Sequence, residues 1–119
     1  MGMDNLVIYQ KMYDLILYSV PIINRFPQSQ RFIIGQQIQN SMIDVSKLIV
    51  HANKSRNKLP ILFEIDLEIE KLRLLIRLAK DLKFMSIKKY ENHAMMIDEI
   101  GKILGGWIKK SQPSKQGHG

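Results

Sequence analysis

Apolar residues recur along this chain at alternating intervals of three and four, the spacing that lines one face of an α-helix. The pattern is strongest over 59–83, where Leu62, Ile65, Ile69, Leu72, Ile76 and Ala79 form an inner stripe. Asp66, Glu70, Arg73, Arg77 and Lys80 fall on the opposite, polar arc. Leu67, Leu74 and Leu78 belong to neither set, and Leu75 and Leu82 flank the stripe. This helix carries more apolar surface than one small bundle buries.

Three further helices follow from the same spacing. The first is expected from about Asp4 to Asn24, with Leu6, Tyr9, Tyr13, Ile16, Val20 and Ile23 inward and Asp4 as N-cap. Pro21 either kinks its last turn or ends it early, because proline lacks an N–H. The second, from about Ser29 to Asn53, turns Ile34 (or Phe32), Ile38, Met42, Val45, Ile49 and Ala52 inward. Ile33, Ile43 and Val50 make a second line on its flank. A polar loop leads to Pro60, in the first turn of the third helix. The fourth helix is expected from about Ile87 to Lys110, behind Ser86 as N-cap. Its inner line is Ile87, Tyr90, Ala94, Ile97, Gly101, Leu104 and Ile108, with Met96, Ile100, Ile103 and Trp107 beside it. Gly101 there permits close backbone approach. Short connections between long helices predict an all-α, antiparallel up-down-up-down four-helix bundle over 1–110, followed by a loose tail, 111–119. The stacked extra lines predict oligomerisation, with Leu67, Leu74, Leu75, Leu78, Leu82, Ile103 and Trp107 at the contacts.

At 119 residues and 45% hydrophobic the chain is one ordered domain. It has no cysteine, hence no disulfide or thiolate metal site, which suits a reducing cytoplasm. No basic segment precedes the first apolar residues, so no signal peptide is expected. Position 6 is Leu6, which breaks the myristoylation pattern. No apolar run is expected to approach the roughly 18–20 residues of a membrane span. These features predict a soluble, cytoplasmic protein without a membrane partner.

Catalytic chemistry finds no support. His51 and His93 lack a His or carboxylate partner at helical spacing, so no metal pair forms. His93 is expected as a packed or half-exposed histidine. Glu64 and Glu68 share a face but lack the His partners of a di-iron bundle. Gly105-Gly106 has no phosphate-loop context. No enzyme, metal or cofactor is expected.

Charge carries more. Eighteen Lys+Arg against eleven Asp+Glu give +7, which predicts a polyanionic partner. Arg73, Arg77 and Lys80 recur at helical spacing, Lys83 follows, and Lys88-Lys89 open the fourth helix. Together they form a candidate stripe for phosphate contacts with RNA or DNA. Glu70 and Asp81 stand where they would partly neutralise Arg73 and Arg77. Tyr90 is expected in the core rather than as a stacking platform.

The order of segments resembles a known family. Phe26-Pro27-x-x-x-Arg31-Phe32 precedes the second helix. Leu72-Arg73-Leu74-Leu75-Ile76-Arg77-Leu78-Ala79-Lys80-Asp81-Leu82 and Ile87-x-x-Tyr90 follow, then Glu99-Ile100-Gly101-Lys102-Ile103-Leu104-Gly105-Gly106-Trp107. This set resembles the accessory variability determinant (Avd) proteins of diversity-generating retroelements, relatives of the four-helix proteins encoded in 23S rRNA intervening sequences. The resemblance implies a ring-like homopentamer that binds a reverse transcriptase and nucleic acid during mutagenic reverse transcription. It assigns binding to Arg31, Arg73, Arg77 and Lys80, and subunit contacts to the extra apolar lines. The alternative is a structural or RNA-associated module of the rRNA-linked branch. That branch's expected Asn-Ile-Ala-Glu-Gly-like segment is replaced here by Ile49-Val50-His51-Ala52-Asn53.

Overall fold

A computed structural model describes residues 3–113, with the side chains of 3–5 outside that description. The described residues form the expected all-α, antiparallel four-helix bundle. Helix α1 spans Met3–Ile23. Helix α2 spans 28–54: one turn, Gln28–Gln30, a π-helical stretch, Arg31–Gly35, then regular α-helix, Gln36–Lys54. Helix α3 is Leu59–Asp81 and α4 is Ile87–Ser111. The main packing contacts join α1 to α2 and α4, and α3 to α2 and α4, so α1 and α3 stand diagonally opposed. The α1–α2 and α3–α4 connections share one end of the bundle. Of the tail, 114–119 lie outside the described residues, as does the side chain of Asp4.

The expected stripes of α2 and α3 are the buried ones. Ile34 through Ala52 on α2 and Leu62 through Ala79 on α3 are buried, while Phe32 is exposed. Helix α4 turns slightly from its expected register. Its core residues are His93, Ile97, Ile100, Leu104 and Trp107, drawn from both apolar lines, and Ile87 is exposed.

Helix α1 corrects the expectation. Ile8, Met12, Leu15, Ser19, Ile22 and Ile23 face the core, whereas Leu6, Tyr9 and Tyr13 are exposed. Both stripes satisfy helical spacing, so periodicity does not choose between them. A buried polar tie does. His93 Nδ1 donates to the Lys89 carbonyl at 2.8 Å, and its Nε2 then accepts from the Ser19 hydroxyl at 2.9 Å. Tyr18 packs against the His93 ring at 5.0 Å and accepts a 3.0 Å bond from Asn92 Nδ2. Turning Tyr9 and Tyr13 inward would take Ser19 away from His93 and bury two hydroxyls. Burial pushes the His93 pKa below its usual 6.5, against a smaller opposing pull from the Lys89 carbonyl.

Helix α1 runs two residues beyond Pro21, close to its expected end, so of the two alternatives the proline does not end it early. Its 18-residue window Leu6–Ile23, mean hydropathy 1.2, is long and apolar enough to cross a membrane by length and composition. That overturns the expectation that no run reaches spanning length. In the bundle one face of this helix packs against α2 and α4.

The π-helical stretch of α2 has a packing cause. Gly35 is buried, and a Cβ there would meet Ile23 Cγ2 at 2.8 Å. Glycine lets α2 close on the end of α1 and on Phe26.

Candidate nucleic-acid interface

The α3–α4 junction is built by two caps. Beyond the end of α3, the Phe84 amide donates to the Ala79 carbonyl at 2.8 Å and the Lys83 amide to Lys80 at 2.9 Å. That paired closure requires a left-handed residue between, and Lys83 supplies it with φ 66°. Ser86 Oγ then accepts the Lys89 amide at 3.2 Å and opens α4. Phe84 meets Phe26 of the α1–α2 connection with ring centroids 5.6 Å apart, which locks the two connections together.

The sequence-predicted cations divide into two groups. Arg73 is engaged: Glu70 lies 3.2 Å from its Nε, and Asp98 of α4 is bound to its Nη1. Gly101 leaves the space this guanidinium fills, since a Cβ there would meet Arg73 Nη2 at 3.1 Å. The close approach expected at Gly101 is therefore a side chain's, not a backbone's. Arg77 lies 3.8 Å from Asp81, and Lys80 lies 3.1 Å from Asp81 and 4.5 Å from the centre of the Tyr90 ring. Arg31 reaches back to the Asn24 carbonyl at 3.4 Å. Lys83, Lys88 and Lys89 have no ion pair among the described residues.

Sequence reasoning missed Arg25. It sits in the α1–α2 connection and lines one cleft with Lys89, Tyr18 and Pro21. The signal was topological: in an up-down-up-down bundle, the first and third connections share an end. Arg25, Lys83, Lys88 and Lys89 thus share one end of the bundle, where Asp81 of α3 and Glu91 of α4 border the same hollow as Lys83.

Two hollows adjoin this end. One, of about 750 Å³, is bounded by Lys80, Asp81, Lys83, Phe84, Met85, Ser86, Ile87, Tyr90 and Glu91. The other, about 350 Å³, lies between α3 and α4 and is bounded by Glu70, Arg73, Leu74, Ile76, Arg77, Tyr90, Ala94 and Ile97. Tyr90 borders both. It is half-buried and packs against the edge of the core. Among the described residues no cluster of three or more His, Asp or Glu could hold a metal ion.

Residues 6–111 match the family model described as bAvd-like. The chain belongs to the bAvd-like family. This is the family of Avd-type accessory proteins. No curated protein matches the chain.

For this Avd-type chain, the residues expected at subunit contacts also divide. Leu67, Leu74 and Leu78 are exposed on the outer face of α3, joined by Phe63. Leu82 is exposed past the helix end. Leu75 is half-buried beside Ser41 and Glu68 in a groove against α2, and Ile103 is half-buried against the core. Trp107 is a correction: at 4% exposed it belongs to the protomer's own core and offers almost no surface to a partner. On α1, Leu6, Tyr9, Tyr13 and Leu17 form an exposed apolar stripe, three of whose members periodicity alone turns inward.

Proposed function

We propose that this chain is a non-catalytic, oligomeric adaptor of a diversity-generating retroelement. It holds a reverse transcriptase and nucleic acid together in the cytoplasm during mutagenic copying. Family membership supports the accessory role. The observation that carries the nucleic-acid half is the set of cations free of carboxylates at the connection end: Arg25, Lys83, Lys88 and Lys89. A cation already paired gains little from a phosphate, because it exchanges one anion for another. Unpaired cations release condensed counterions from the polyanion and gain more. The reading therefore moves the contact surface from the middle of α3 toward the end of the bundle.

Assembly is supported by two unpartnered apolar stripes, one on α1 and one on α3. Their diagonal placement suits head-to-tail contacts between copies, which close into a ring when the rotation allows. A ring would repeat the basic end around its circumference.

A triple variant, Lys83→Gln with Lys88→Gln and Lys89→Gln, tests the interface. Titration of labelled RNA at several salt concentrations should show at least about tenfold weaker binding. The salt slope should flatten by roughly two, at about 0.7 per lost phosphate contact on a single strand. Reverse transcriptase capture is read in parallel. Wild-type RNA affinity and slope in a folded triple variant would remove this end as the interface.

A further inference from the structure

Phosphate contact alone leaves the 750 Å³ hollow at the α3–α4 junction unexplained. Its volume is that of a small-molecule site, roughly 300–1,000 Å³. Phe84, Met85, Ile87 and Tyr90 supply its apolar lining. Ile87, at the start of α4, is 68% exposed, a large apolar side chain that the described residues leave mostly uncovered. The rim differs in character. Lys83 stands there, and Ser86 opens a 25-residue helix whose first amides carry partial positive charge.

Lys83 is a second observation. Its position, left-handed at φ 66°, is one that glycine fills with least strain. A side chain there is crowded against its own backbone. Lysine at such a point trades local stability for a cation on the rim. Two carboxylates also border the hollow. Asp81 is held by Arg77 and Lys80, and Glu91 lies on α4 without an ion pair among the described residues. An anionic ligand is thereby steered to the Lys83 side, with its apolar part against that lining.

We propose that this hollow seats one unpaired nucleotide of a single-stranded nucleic acid. The base lies against Ile87, Phe84 and Tyr90, and its phosphate meets Lys83 and the α4 N-terminus. The inference rests on the nucleic-acid reading above and sharpens it, because a base locked in a duplex does not enter a hollow of this kind. Every base has an apolar face, so the seat is tolerant of sequence.

The test compares an eight-uridine RNA with an abasic ribose-phosphate strand of equal length, titrated against the full chain. The uridine strand should bind at least about fivefold more tightly, the low end of what one seated base contributes. Ile87→Gln should erase that difference without changing the salt slope. Ile87 is exposed, so this variant leaves the core intact, and circular dichroism checks the fold. Equal affinity of the two strands for the wild type would overturn the seat while leaving the phosphate-contact reading in place. So would a base-dependent difference that survives in Ile87→Gln and in the double variant with Tyr90→Leu. Absence of binding by both strands at low salt would overturn the seat and that reading together.

Discussion

His93 is the residue on which the register of α1 turns, and its chemistry makes the bundle sensitive to acid. The ring is 1% exposed and neutral, with the Lys89 carbonyl on one nitrogen and the Ser19 hydroxyl on the other. Its folded pKa is below the unfolded value of 6.5. Above 6.5 both states are neutral and the full stability is present. As pH falls through 6.5 the unfolded chain takes up a proton that the folded chain refuses, so stability declines. The decline is at most about 1.4 kcal/mol per pH unit and continues until the folded pKa is reached. Urea midpoints measured from pH 7.5 to 5.5 should fall toward acid, and His93→Gln should flatten that trend. Gly35 is the second such residue. A methyl at its Cβ would stand 2.8 Å from Ile23 Cγ2, a branched side chain itself buried and stiff about χ1. Gly35→Ala should destabilise by about 1–3 kcal/mol, read from the shift in chemical denaturation. An unchanged midpoint would mean that the π-helical stretch relaxes at no cost.

Helices α2 and α3 were legible in the sequence because each has one dominant apolar arc set against a polar one. Their stripes, from Ile38 to Ala52 and from Leu62 to Ala79, are the buried ones. Helix α1 was not legible in the same way. Leu6, Tyr9, Tyr13 and Val20 keep helical spacing as well as Ile8, Met12, Leu15 and Ile22 do. Periodicity locates a face but cannot rank two of them. The information lay in another helix, where buried His93 requires a hydroxyl at position 19. The candidate interface was half legible for a related reason. Spacing placed Arg73, Arg77 and Lys80 on one arc, and it also placed Glu70 and Asp81 beside them. Asp98, which binds Arg73 from α4, became visible only once the helices were docked. The α1 register yields a paired test. Leu15→Ala should cost about 2–5 kcal/mol, as a buried leucine truncation does. Leu17→Ala, two positions along, should change protomer stability by no more than about 0.5 kcal/mol. A reversed order in thermal or urea unfolding would put the other stripe inside.

At the scale of the molecule, the question is what covers the two outer stripes. Leu74 on α3 is 67% exposed and Leu17 on α1 is 60% exposed, each in a row of apolar neighbours. The two helices do not pack on each other within the protomer, so the stripes look in different directions. If each stripe met its own copy, the contacts would be isologous and two-fold. If the α1 stripe of one chain met the α3 stripe of the next, the contacts would be heterologous, closing as a ring where the rotation allows and running on as a filament where it does not. Light scattering after size exclusion should give a mass near five chains of 13.9 kDa. Two charge-bearing double variants then separate the geometries. Leu67→Glu with Leu74→Glu removes the α3 stripe, and Tyr13→Glu with Leu17→Glu removes the α1 stripe. Each alone should be a folded monomer, because every heterologous contact needs both stripes. Mixed together, they retain one intact α1 stripe and one intact α3 stripe. The mixture should therefore form a heterodimer that cannot grow. An isologous α3 contact would instead leave the α1 variant dimeric by itself, and mixing would add nothing. The heterodimer is the outcome that only head-to-tail assembly produces, and it would make the basic end of the bundle a feature repeated around a closed ring.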